Sequence, residues 1–135
     1  MNGVAKGSDP VIYHMCDVNL FNKLTSENGI YYSPTFEVDK FIHATENPAM
    51  LLEAGTHFYK DVVGDWMCLK LNPSLLSGPV VYEAPAPVGN VAAKDYENSP
   101  KFPHIYGGIP LAAVLKKYKI IRGVDGTFLS IDGLC

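Results

Sequence analysis

Three histidines, His14, His43 and His104, hold most of the chemistry this sequence can offer. Imidazole exchanges protons near neutral pH, and each ring nitrogen either donates or accepts a hydrogen bond. His14 lies in Ile12-Tyr13-His14-Met15, where strand alternation puts it on one face with Ile12 and puts Tyr13 and Met15 on the other. Its plainest role is a half-buried ring tied to a backbone carbonyl. His43 sits at the end of a strand-like run, just before a turn into a helix, where it can serve an anionic or polar ligand or share a capping role with Thr45. His104 falls between Phe102-Pro103 and Tyr106-Gly107-Gly108. Proline fixes the approach and glycine admits a ligand or backbone, so this reads as a loop forming a site wall. His57, on a helix beside its apolar stripe, reads as a surface residue.

Glu83, at the end of a strand and before a long loop, is a candidate general base or ribose-binding carboxylate, or simply a solvated side chain. No His-x-His or His-x-x-x-His spacing supports a metal site, and none is expected. Cys16, Cys68 and Cys135 are odd in number, widely spaced and lack a Cys-x-x-Cys pair, which makes a poor disulfide framework. Cys16 next to a helix start reads as an inert buried thiol rather than a nucleophile. Phosphate-binding and nucleophile-elbow glycine motifs are missing from the sequence.

The elements that must position these residues follow from local pattern. Residues 11–15 read as a strand, and Asp17 as an N-cap for a helix with Leu20, Phe21 and Leu24 on one face. Asn28-Gly29 ends that helix in a left-handed cap. Residues 30–32 are a short extended piece, and a turn or single helical turn runs from Ser33-Pro34 to Asp39. Residues 41–45 form a second strand. Asn47-Pro48 then starts the best helix, residues 47–62. Residues 66–71 alternate as a half-buried strand, and residues 80–83 form another. Residues 84–103 are rich in proline and glycine and read as one long loop. Residues 114–122 and 127–131 form a hairpin around Asp125-Gly126. The sum is a small α+β domain with a bent, mainly antiparallel sheet and two early helices. A flexible segment spans residues 1–10 and a single globular domain spans 11–135.

The charge balance narrows the partners. Lys plus Arg total 11 against 14 acidic residues, a net charge of −3, and Arg122 is the single arginine. Nucleic acid is an unlikely partner for such a surface. No apolar run has membrane-spanning length, and the first ten residues form no signal peptide, so a cytoplasmic protein is expected.

The series Ile12-Tyr13-His14, Gly29-Ile30-Tyr31, Phe41-Ile42-His43-Ala44-Thr45, Phe58-Tyr59 and Phe102-Pro103-His104-Ile105-Tyr106-Gly107 resembles the family known as domain of unknown function 952, over about residues 11–131. That family usually has Leu-Ser-Thr after its second histidine; here Ala44-Thr45-Glu46 stands there. The family is in turn similar to the ADP-ribosyltransferase superfamily. This resemblance implies an ADP-ribosyltransferase-like fold with possible NAD or ADP-ribose-like ligands. It implies His14 at the ribose, with His43, Ala44 and Thr45 on the second strand. Glu83 matches the superfamily's catalytic glutamate by type only, and His104 is a candidate for that neighbourhood. His43, His104 and Glu83 are then the candidate catalytic residues. His14, Thr45, Tyr31 and Tyr106 are candidates for holding the cofactor, and Tyr31, Tyr32, Phe36 or Tyr106 for stacking on it.

Cleaving a nicotinamide–ribose bond passes through an oxocarbenium-like state, which demands an oriented ribose and a partner for positive charge. Scarce arginine argues against tight diphosphate binding. Three functions follow: an NAD-dependent transferase, a small-molecule or nucleotide-binding module without turnover, and a structural or interaction domain. The first two require the three imidazoles to meet at one cleft. The third predicts that they lie far apart.

Overall fold

The computed structural model describes residues 11–98 and 100–135, so the segment 1–10 expected to be flexible lies outside the described residues. The first strand, β1 (Ile12–Asp17), runs straight into α1 (Val18–Asn28). Asp17 caps that helix as expected, its Oδ1 accepting from the Leu20 amide at 2.9 Å. Gly29, at φ 73°, closes it in the left-handed conformation, donating to the Thr25 carbonyl. Next come β2 (Ile30–Tyr31), the single turn α2 (Phe36–Asp39) and β3 (Ile42–His43). The principal helix, α3 (Ala49–Tyr59), is shorter than the expected 47–62. The Asn47 side chain accepts from the Ala49 amide at 3.0 Å, and Pro48 already has helical angles.

Then come β4 (Trp66–Leu71), β5 (Val80–Glu83), β6 (Phe102–Ile105), β7 (Ile109–Pro110), β8 (Val114–Arg122) and β9 (Phe128–Ile131). All strand pairings are antiparallel. They form a four-stranded sheet in the order β1-β4-β8-β9, a three-stranded sheet β3-β6-β5 and the pair β2-β7. A backbone bridge between Tyr13 and Thr45 joins the two larger sheets, with hydrogen bonds of 2.7 and 2.9 Å. The chain is therefore an α+β domain with a strongly curled antiparallel sheet. Among the described residues, no helix is long and apolar enough to cross a membrane.

Two expectations need correction. The run 66–71 is not half-buried: Trp66, Met67, Cys68, Leu69 and Leu71 are all buried. One core cluster, with Phe21 of α1, takes Met67, Leu69 and Leu71; another, with Leu51 of α3, takes Trp66 and Cys68. Helices on both faces turn an alternating pattern into a two-sided core strand. The second correction concerns His104, which sits in β6 rather than in a loop. β6 is the central strand of its sheet, with His104 opposite both His43 and Val81. Pro103 is tolerated there because its carbonyl accepts from Ala44, just past the end of the two-residue β3, where an N–H is not needed for the ladder.

The α3 helix docks closely on β9. A Cβ added at Gly55 would lie 2.4 Å from the Phe128 ring, so only glycine permits this approach. The single arginine locks the same region. Arg122 donates to the carbonyls of Tyr59 (3.0 Å), Lys60 (3.2 Å), Val62 (2.6 Å) and Gly126 (3.1 Å), and lies over the Phe128 ring. It satisfies carbonyls left open at the end of α3.

Candidate functional site

His14, His43 and His104 come from three separate strands and line one cleft of about 710 Å³, counting the part open to solvent. Thr45 also lines it, with Ser33 and Thr35 from the turn after β2. The helix α3 contributes an apolar and aromatic wall that includes Leu51, Phe58 and Tyr59. The long segment between β5 and β6 closes another side with Pro85, Val88, Lys94 and Tyr96. Lys94 is the one cation among the described lining residues.

Each imidazole has one nitrogen engaged. His14 Nδ1–H donates to the His43 carbonyl at 2.6 Å. Its Nε2 is buried without a partner among the described residues. Burial holds this ring neutral and pushes its pKa down to about 4, against an opposing pull from the His43 carbonyl. The backbone-tied role read from the sequence is thus present, yet the second nitrogen remains an unused acceptor on a ring that lines the cleft. His43 Nε2–H donates to Asp39 Oδ2 at 3.0 Å, which leaves Nδ1 as its unengaged nitrogen. Burial lowers its pKa, and the Asp39 carboxylate partly opposes this. His104 Nδ1–H donates to Glu83 Oε1 at 2.8 Å, leaving Nε2.

Phe41 aligns two of the rings. It stacks on His104 with centroids 4.0 Å apart and planes 15° from parallel, and it meets His43 at 4.6 Å. The His43 and His104 rings lie edge to face, 5.5 Å between centroids. Register explains the closeness, since the two residues face each other directly across β3 and β6.

The remaining predicted residues fall outside the lining or are already engaged. Glu83 does not line the cleft; it lies behind His104 and also accepts from the Tyr106 hydroxyl at 2.6 Å. The Tyr106 and His104 hydrogen bonds lower its pKa, and the same bond raises that of Tyr106. Tyr106 therefore braces Glu83 rather than presenting its face to a ligand. Tyr31 is fully buried between Phe21 and His14 and supports the His14 ring from behind. Tyr32 and Phe36 pack on each other, away from the lining. The Thr45 hydroxyl pairs with the backbone of Asn47 and shapes the entry to α3. Cys16 is buried, and burial raises its pKa, so it is an inert thiol. Among the described residues, no group of three or more His, Cys, Asp or Glu side chains could hold a metal ion.

Sequence reasoning passed over Asp39. Its carboxylate, 5% exposed, receives the Thr35 hydroxyl (2.7 Å), the His43 ring and the Gly89 amide (3.1 Å). Thr35 and His43 lie four residues to either side of it, and Gly89 comes from the long segment. The aromatic wall of Phe58, Tyr59, Tyr96 and Phe102 replaces the aromatic residues expected from sequence. Phe58-Tyr59 and Phe102 stand in motifs legible in the sequence, and Tyr96 does not.

Fold and cleft together define a small α+β domain with a histidine-lined pocket at the joint of two antiparallel sheets. The chain belongs to the family described as "Protein of unknown function (DUF952)", whose model matches residues 17–117. It is similar to the crystal structure of protein CC0527 from Caulobacter crescentus, at TM-score 0.67 and 17% identity. The match covers 88% of this chain and 93% of that one. The solution NMR structure of CC0527 gives TM-score 0.56 at 15% identity, covering 93% of each chain. At such identities the likeness is one of fold. The comparison with curated proteins gives no match.

Proposed function

We propose that the cleft takes a hydroxyl-rich, ribosyl-type small molecule, NAD or an ADP-ribose-like ligand, in an ADP-ribosyltransferase-like frame. One observation carries this reading: three imidazoles on separate strands line one cleft, and each keeps one nitrogen unengaged. Neutral imidazole nitrogens accept hydrogen bonds from hydroxyl groups, while the apolar and aromatic wall receives the face of a sugar or base. In this reading His14 and Thr45 flank the ribose, and His43 and His104 handle protons, with Glu83 as the positioning residue behind His104. Lys94 as the one lining cation supports weak affinity for a diphosphate, which extends toward solvent.

A second reading, a binding module without turnover, is favoured by the position of Glu83 outside the lining. A carboxylate there steadies His104 and does not meet a developing oxocarbenium ion. Both readings are tested by titrating the protein with NAD and with ADP-ribose while following the histidine ring signals by NMR. Shifts at His14, His43 and His104 are expected, and their absence at millimolar ligand would reject a ribosyl site. Nicotinamide release from NAD, lost in His104→Ala, decides for the transferase; shifts without release decide for the module.

A further inference from the structure

We propose that His43 and His104 form an acid–base pair that opens and recloses the hemiacetal ring of a free aldose, such as the terminal ribose of an ADP-ribose-like ligand. The inference rests on the ribosyl reading of the cleft and adds a reaction to it.

Three observations carry it. The two rings are cross-strand partners 5.5 Å apart at their centroids, and Phe41 packs on both. Such a short separation suits proton transfer at two neighbouring atoms of one ligand. The anomeric hydroxyl and the ring oxygen, bonded to the same carbon, are such a pair. Next, each ring is oriented from behind by a carboxylate, His43 by Asp39 and His104 by Glu83. An oriented imidazole with a free second nitrogen is the usual form of a general acid or base. Finally, two further buried polar atoms, His14 Nε2 and Ser33 Oγ, lack partners among the described residues, and both residues line the same cleft. A sugar offers several hydroxyl groups to pair with them. Buried polar atoms left unpaired are otherwise costly.

The step balances without a co-reactant. His43 Nδ1 takes the proton of the anomeric hydroxyl. The electron pair of that O–H bond becomes the second bond of the new C=O. The bond from the anomeric carbon to the ring oxygen breaks, and its pair goes to the ring oxygen, which takes a proton from His104 Nε2, the His104 ring entering the step protonated on both nitrogens. Glu83, 2.8 Å from His104 Nδ1, balances the charge while that ring holds two protons. Closure on the other face of the carbonyl reverses both transfers and returns the opposite anomer.

The test measures α–β exchange of D-ribose and of ADP-ribose by NMR magnetisation transfer, with and without the full chain. Wild-type protein is expected to raise the exchange rate above that of buffer. His43→Asn and His104→Asn are each expected to lower it by about 100-fold, the usual contribution of a general acid or base. Methyl β-D-riboside, which lacks the anomeric hydroxyl, is expected to shift the histidine signals and inhibit exchange. Exchange that persists in both variants would overturn the proposal. No acceleration, with ribose still shifting the histidine signals, would overturn it too and leave the ribosyl cleft standing. No acceleration and no shifts with ribose, NAD or ADP-ribose would remove both. If either variant fails to fold, carbethoxylation of wild-type histidines replaces it: exchange should cease on modification, and ribose should protect.

Discussion

The four-stranded sheet and the three-stranded sheet use their polar groups differently, although the first also leaves His14 Nε2 on β1 and Trp66 Nε1 on β4 without partners among the described residues. In the first, Arg122 engages its guanidinium with a ring of carbonyls at the end of α3, and Asp17 caps α1. Its strands reach nine residues, joined at β8–β9 by a tight hairpin. The second has strands of two to four residues and the long segment between β5 and β6. It places two histidines beside each other with one nitrogen apiece unengaged. Completed hydrogen bonding gives stability, and withheld hydrogen bonding leaves valence for a ligand. One curled sheet system carries both, joined at the Tyr13–Thr45 bridge.

Four perturbations break or sharpen this contrast. The largest effect is expected in the stable region. Leu69 is fully buried, and Leu69→Ala should lower stability in urea by about 2–5 kcal/mol. The tautomer-sensitive signals of His43 and His104 should stay in place; their loss would show that the two regions are not separable. Acid comes next. His14 titrates near 4 in the folded chain and near 6.5 when unfolded, so the unfolded state binds more protons between those values. Stability is therefore full above pH 6.5 and should fall by about 3 kcal/mol as pH drops to 4. The His43 shift acts in the same direction. Urea midpoints measured across this window should show that slope, and His14→Asn should flatten it. Arg122→Met should remove about 2 kcal/mol through the lost carbonyl contacts, with no change in ligand affinity. The smallest effect is expected for Tyr106→Phe. It should leave the urea midpoint unchanged but raise the Glu83 titration seen by carboxyl NMR, because the Tyr106 hydroxyl is the leading cause of its lowering. An unmoved Glu83 would show that Tyr106 is not its brace.

The stable region was also the more legible one. Asp17, Asn28-Gly29, Asn47-Pro48 and Asp125-Gly126 act on their own neighbours, so their meaning lies within a few residues of sequence. The three histidines could be singled out by type. Their convergence could not be derived, since His14, His43 and His104 meet through pairings tens of residues apart. His104 read as loop because Pro103 and the glycines after it obey local rules, whereas its strand is imposed from both sides by β3 and β5. Arg122 illustrates the converse. As the only arginine it served in the sequence only as an argument against nucleic-acid and tight diphosphate binding, and the fold gives it a role on the backbone at the end of α3. Asp39 was not singled out because the i,i+4 spacing of Thr35, Asp39 and His43 becomes a hydrogen-bonded set only once α2 leads into β3, and its third donor, Gly89, lies far along the chain.

That shared carboxylate has a consequence for timing. Asp39 holds the Gly89 amide at the tip of the long segment, where Val88 and Val91 bridge across a turn, and it also holds the His43 ring. The Gly89 amide and the His43 ring thus draw on the same carboxylate. Loss of the Gly89 hydrogen bond is expected to leave the carboxylate more negative charge to offer the imidazole, so amide exchange at Gly89 and the ring signals of His43 should move together.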